Sequence, residues 1–240
     1  MSIIPNLSFS IGILRITPLF WSLFLAGIIS SFSLWRKLRE DCKESIIFNL
    51  TLISIFLGLF FGRLSFVFFH FSEFGLSLGN FFTLSLGDNF SLFGVILGII
   101  LAVKWMTSGE KGNLWEVLDA LVLPFFYFLF LGGLGYFLKN KEWFSLGYAF
   151  VGILGTLFFP LIMNKYRSFP WYKSGKIGFL FTFFGLSSSL ALFLLAFFKN
   201  DSLYLYRFVW LITAIVAGIA LYHRSGRDIK EDWYNIFRKK

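Results

Sequence analysis

Charge is scarce in this chain. Asp, Glu, Lys and Arg make up 15% of its 240 residues, whereas soluble domains carry about 25%. That shortage excludes an ordinary water-soluble domain. Cysteine is nearly absent too: Cys42 stands alone, so no intrachain disulfide can form. The sequence holds no cluster of metal-ligand residues, no phosphate-binding glycine loop and no nucleophile–base pair. It has no internal repeat, and no inverted pair of interrupted apolar segments of the kind secondary transporters use. The last apolar segment lacks a lysine, which removes the Schiff base that a rhodopsin-like photoreceptor needs. No basic stretch precedes the first apolar segment and no small-residue cleavage site follows it. That segment is expected to stay as an anchor.

What remains is strongly apolar. Hydrophobic residues make up 57% of the chain, and 36 of its residues are Phe. Such Phe usage is what AT-rich coding produces, and Phe enters lipid as readily as Leu. Seven apolar runs are long enough to cross a hydrocarbon core of about 30 Å as helices. They cover residues 17–35, 46–71, 90–106, 114–138, 144–163, 177–198 and 205–223. The predicted fold is all-α: one polytopic membrane domain over residues 1–240 with seven transmembrane helices. The connections leave no room for a folded soluble domain. The longest, 72–89, could hold a short interfacial segment.

Lys and Arg set the expected orientation. Sixteen of the 22 flank the ends of spans 1, 3 and 5 or lie in the C-terminal tail. The positive-inside tendency therefore puts the C-terminus in the cytoplasm and the N-terminus outside. This distribution accounts for the net charge of +9 as membrane topology, with no nucleic-acid partner implied. Cys42, among Arg36, Lys37, Arg39 and Lys43, falls in a predicted cytoplasmic loop, where a free thiol is chemically comfortable. Gly58 with Gly62, and Gly94 with Gly98, are small-xxx-small pairs that suggest close packing of spans 2 and 3.

Few polar residues lie inside the spans. Arg63 is eight residues from the far end of span 2, or about 12 Å along a helix rising 1.5 Å per residue. A charge at that depth is costly and faces a cavity or a partner. One reading is a bidentate grip on a lipid phosphate. The other is a structural pair with Asp88 or Glu73, or snorkelling toward the interface. Asp119, with Glu116, opens span 4, where the helix dipole favours an acid, so it reads as a structural polar residue. His70 ends span 2 and is the sole neutral-pH base near the expected outer leaflet, although an interfacial histidine is ordinarily just solvated. Ser187, Ser188 and Ser189 are expected to bond to their own helix or across to a neighbour.

Several segments, read in order, carry a resemblance. They are Phe9-Ser-Ile-Gly-Ile-Leu-Arg-Ile16 before span 1 and Gly62-Arg-Leu-Ser-Phe-Val-Phe-Phe-His70 in span 2. Glu116-Val-Leu-Asp-Ala-Leu-Val-Leu-Pro124 opens span 4, and Lys173-Ser-Gly175 precedes a Phe-rich sixth span and a Leu-rich seventh. Over nearly the whole chain this series resembles the bacterial prolipoprotein diacylglyceryl transferases. Those seven-helix plasma-membrane enzymes move diacylglyceryl from phosphatidylglycerol to the lipobox cysteine of a lipoprotein precursor. The resemblance implies a diacylglyceryl-transferase-like bundle with a lipid-facing cavity. It also implies a bacterial inner-membrane location, phosphatidylglycerol and prolipoprotein signal peptides as partners, and no cofactor or metal. Arg63 would then hold the lipid phosphate.

The departures fall on the family's polar residues. Leu92 stands where the family has a histidine, and Gly133 where it has its signature arginine. Leu192 and Ala196 replace a later arginine and glutamate. A thiol needs a base or positive field to react as thiolate, and a glycerol-phosphate leaving group needs cations. Catalysis would fall to His70, Lys139 or Lys141 as substitutes. Two expectations follow: a divergent transferase with weak or no activity, or a non-catalytic binder of phospholipid or lipoprotein precursor.

Overall fold

The computed structural model describes residues 9–11, 14–71, 90–109, 113–172, 174–198 and 204–228. Among them a short hairpin and seven α-helices follow in order. In the hairpin, β1 (Phe9–Ile11) pairs antiparallel with β2 (Leu14–Ile16), Ser10 opposite Arg15. The helices are α1 (Pro18–Leu38), α2 (Glu44–Phe69), α3 (Leu92–Gly109) and α4 (Leu114–Asn140). After these come α5 (Trp143–Lys165), α6 (Phe179–Leu195) and α7 (Tyr204–Arg224). The 72–89 segment, with its expected interfacial element, lies outside the described residues.

Local chemistry sets the helix ends. Thr17 caps α1, its hydroxyl accepting the Phe20 N–H, and Pro18 fills the first turn, where a missing N–H has no partner to lose. Arg36 and Lys37 carry α1 past its predicted end because cations suit a helix C-terminus. The Asn113 side chain accepts the Trp115 N–H at 3.2 Å and caps α4. α6 starts later than predicted because Gly178, at φ 98°, takes a left-handed conformation that glycine adopts without strain.

Five helices, α1, α2, α4, α5 and α7, are long and apolar enough to cross a membrane; α3 and α6 are shorter apolar helices. Phe32, Phe56, Phe68 and Phe198 stand exposed on the outside of the bundle, as lipid contact requires. The chain is thus a membrane-embedded, multi-pass helical protein. α4 is its centre, the most buried of the five long helices. α4 runs antiparallel to α1, with Gly135 against Ser22, and the Ser30 hydroxyl donates to the Pro124 carbonyl at 3.1 Å. On its other side Gly133 lies against the Ala149 backbone of α5 and Gly152 against Phe130.

The glycine pairs of spans 2 and 3 mesh with one another. Gly94 sits on the Phe61 carbonyl and Ser65, Gly98 on the Leu57 carbonyl, and Gly62 beside Val95. Small residues let these backbones approach, so α2 and α3 form a tight antiparallel pair. α6 and α7 form a second pair, with Gly185 beside Ala217. One apolar core joins α4, α5 and α6 around Phe126, Phe159, Phe179 and Phe184. Another, with Leu34, Leu38, Ile47, Val103 and Val117, ties α1 to α4 at the end where α2 begins. In lipid such cores are held by van der Waals contact more than by exclusion of water.

Candidate functional site

Arg63 follows Gly62, which packs beside Val95 of α3. Gly62 also accepts the Ser91 N–H at 3.0 Å, which fixes the start of α3 beside it. The Arg63 side chain is 3% exposed, and its guanidinium carbon lies 5.7 Å from the Phe66 ring centroid. The Phe66 ring in turn stacks on His70, with centroids 4.2 Å apart and planes at 23°. Arg63, Phe66 and His70 thereby form one ladder along the last two turns of α2, at the spacing that places residues on one helix face.

The His70 ring is oriented by its own helix. Its Nδ1 lies 3.0 Å from the Phe66 carbonyl. A carbonyl only accepts, so Nδ1 carries the proton and Nε2 is the basic nitrogen. The structure therefore brings together two of the sequence's candidates, a buried guanidinium and an oriented imidazole. Asp88 and Glu73, the expected structural partners of Arg63, lie outside the described residues.

Lys139 and Lys141 end α4, whose packing partners are α1 and α5, while α2 pairs with α3. The helices alternate in direction, so both lysines lie at the same end of the bundle as His70. Lys141 is exposed and left-handed at φ 61°, and its N–H donates to the Phe137 carbonyl at 2.8 Å. It occupies the C-terminal position that glycine ordinarily fills.

Asp119 serves a different purpose, at the opposite end of α4. Its two carboxylate oxygens accept the Gly178 and Phe181 N–H groups, each at 2.7 Å. These are orphan donors of the first turn of α6, and Gly178 has no side chain with which to cap them. Asp119 thus caps a helix 59 residues away in the chain. The Arg224 guanidinium covers the Trp115 ring at 4.1 Å beside it, and Gly178 packs against both side chains. Tyr172, 1% exposed, donates its hydroxyl to the Lys176 carbonyl at 2.7 Å, and burial pushes that phenol above its ordinary range. Sequence reasoning did not single out Trp115, Tyr172, Gly178 or Arg224. A glycine directly before the Phe-rich sixth span was the one available signal that α6 needs a cap from elsewhere.

Positions where the resembled family keeps polar groups are packing positions here. Leu92 packs against the α4–α6 core. A Cβ at Gly133 would run into the Ala149 backbone, so a long side chain there requires α5 to move away. Leu192 and Ala196 are buried. In span 6, the Ser187 hydroxyl donates to the Phe184 carbonyl at 3.3 Å, and Ser188 and Ser189 are buried. Cys42, half-buried, lines a cavity of about 260 Å³ with Leu38, Ile46, Leu50 and Met106 at the α1–α2 turn. Among the described residues no three His, Cys, Asp or Glu side chains converge as a metal site.

Among known proteins, no family model matches the chain and no curated protein matches it. The arrangement defines a class: a polytopic helical membrane protein with a buried cation near one end of its bundle.

Proposed function

We propose that this protein binds an anionic phospholipid, of phosphatidylglycerol type, through Arg63. The observation that carries the reading is a guanidinium 3% exposed within an apolar helix bundle, beside an aromatic ring and an oriented imidazole. An ionisable residue at membrane depth faces the bundle interior or a cavity and marks a binding or transport site. The guanidinium has five N–H donors in a planar fork, so it can meet a phosphate at the level of His70 with two parallel hydrogen bonds in addition to its contacts within the protein. The order of motifs along the chain, similar to the diacylglyceryl transferases, supports the same lipid class. In this reading all seven helices cross the membrane. α3 and α6, as 17-residue apolar helices, reach about 25 Å, the lower limit for a span. The distribution of Lys and Arg supports a cytoplasmic C-terminus, and the resemblance to the diacylglyceryl transferases supports a bacterial inner-membrane setting.

Transfer of the diacylglyceryl group is the second reading, and one observation favours it. With Nδ1 engaged by the Phe66 carbonyl, His70 offers Nε2 as a base for a lipobox thiol. Against it stand Leu92 and Gly133, apolar packing positions where cations would have to stabilise the leaving glycerol phosphate. The binding reading is therefore preferred. Incubating purified protein with phosphatidylglycerol and a lipobox peptide, followed by mass spectrometry, separates the two. Unmodified peptide is expected. A diacylglyceryl thioether that disappears in His70→Gln would establish the transferase instead.

A further inference from the structure

α1 and α2 are joined by only five residues, 39–43, yet each packs mainly elsewhere, α1 on α4 and α2 on α3. The gap left between them is a groove of about 770 Å³ that opens on the outside of the bundle. This volume is in the range of sites that hold small organic ligands, about 300–1,000 Å³. Ser31, Phe32 and Trp35 of α1 form one wall. The other runs from Glu44 through Phe48, Thr51 and Leu52 to Ile55 of α2. Thr51 donates its hydroxyl to the Ile47 carbonyl at 2.8 Å, so its methyl is left for the groove. The body of the groove is apolar, and Phe32 and Phe48 are 60% and 63% exposed along it.

Charges of both signs stand at the mouth of the groove: Glu44 lines it, and Arg39 stacks on the lining residue Trp35. On α1 the lining ends at Trp35, and the Arg39 guanidinium carbon, one turn further on, lies 5.1 Å from that ring's centroid. On α2 it ends at Glu44, in the first turn of the helix. Both charged residues are exposed. From Glu44 to Ile55 the α2 wall is about 16 Å long at 1.5 Å per residue. That is half of a hydrocarbon core of about 30 Å, the depth of one leaflet.

We infer that this groove seats one phospholipid of the adjacent leaflet whose head group carries both a phosphate and a primary ammonium. The acyl chains lie along Phe32, Phe48 and Ile55. Arg39 faces the phosphate, and Glu44 accepts the ammonium protons. A purely anionic head group satisfies Arg39 but meets the Glu44 carboxylate, so charge complementarity selects the zwitterion. The site is separate from Arg63, which lies near the other end of α2, and does not depend on it.

Native mass spectrometry of the full-length protein with phosphatidylethanolamine or phosphatidylglycerol, at equal concentrations, tests this. A second arm uses Glu44→Gln, and a third uses Thr51→Trp, which fills the groove without touching either charge. Phosphatidylglycerol also has the Arg63 site, so the groove is read as the retention lost on Thr51→Trp, and that loss is expected to be of phosphatidylethanolamine. Glu44→Gln should weaken phosphatidylethanolamine retention roughly fivefold, the scale of one interfacial charge contact, and leave phosphatidylglycerol at Arg63 unaffected. Circular dichroism establishes that each variant is folded, and a variant that unfolds is replaced by Glu44→Ala or Leu52→Trp. Equal loss of both lipids in the folded Thr51→Trp variant would overturn the proposal. Unchanged phosphatidylethanolamine retention in the folded groove-filling variant would do so as well.

Discussion

Asp119 shows how one side chain organises a distant part of the bundle. Its carboxylate holds the Gly178 and Phe181 N–H groups, so α6 begins where α4 permits. A charged acceptor at a helix N-terminus combines cap and dipole stabilisation. Asp119→Ala should lower stability by about 2 kcal/mol, with Asp119→Asn losing less because one amide oxygen still accepts. Thermal unfolding in detergent micelles measures this, and equal stability of the three proteins would show that the cap contributes nothing. The residue was legible from the sequence as a structural acid. Its partner was not, because the carboxylate reaches across 59 residues of chain to a glycine that carries no recognisable capping signal. Arg63 was legible for the opposite reason: a lone charge deep in an apolar run needs no knowledge of its neighbours to stand out. Its ladder with Phe66 and His70 follows from helix spacing, but the ring stacking and the imidazole tautomer needed coordinates.

Glycine decides which helices pair. The small-residue spacing in spans 2 and 3 was visible in the sequence, whereas the meshing of the two sets became visible only in the structure. Gly94→Ala would push a methyl into the Phe61 carbonyl and the Ser65 side chain. Overpacking of that kind costs about 1–3 kcal/mol. Gly27 of α1 has no atom within 4 Å of the same methyl position, so Gly27→Ala should be neutral or slightly stabilising. Unfolding midpoints of the two variants give the contrast, and equal midpoints would contradict the close α2–α3 approach. The same reasoning recasts Gly133. Read along the sequence it looks like a lost arginine; in the structure it is the contact that lets α5 lie on α4. The seven helices were legible from the apolar runs, and five of them are long and apolar enough to cross a membrane. Their ends moved by a few residues where Arg36, Lys37 and the left-handed Gly178 set the boundary.

At the scale of the whole molecule, apolar helices on the outside and packed glycines within make a membrane-embedded bundle centred on α4. The orientation rests on its cations. A reporter fused after Lys240 should be active in the cytoplasm, and activity on the far side of the membrane would invert the map. Function rests on whether the buried guanidinium holds a lipid. Lysine keeps the charge of Arg63 but loses the planar fork, and methionine loses both. A charge-assisted hydrogen bond contributes about 1.5–3 kcal/mol, roughly one to two decades in affinity. The most direct measurement is phosphatidylglycerol retention by wild type, Arg63→Lys and Arg63→Met in native mass spectrometry, each checked for folding. Retention should fall by about tenfold in Arg63→Lys and further in Arg63→Met. Equal retention by all three folded proteins would make Arg63 a structural residue and contradict the account.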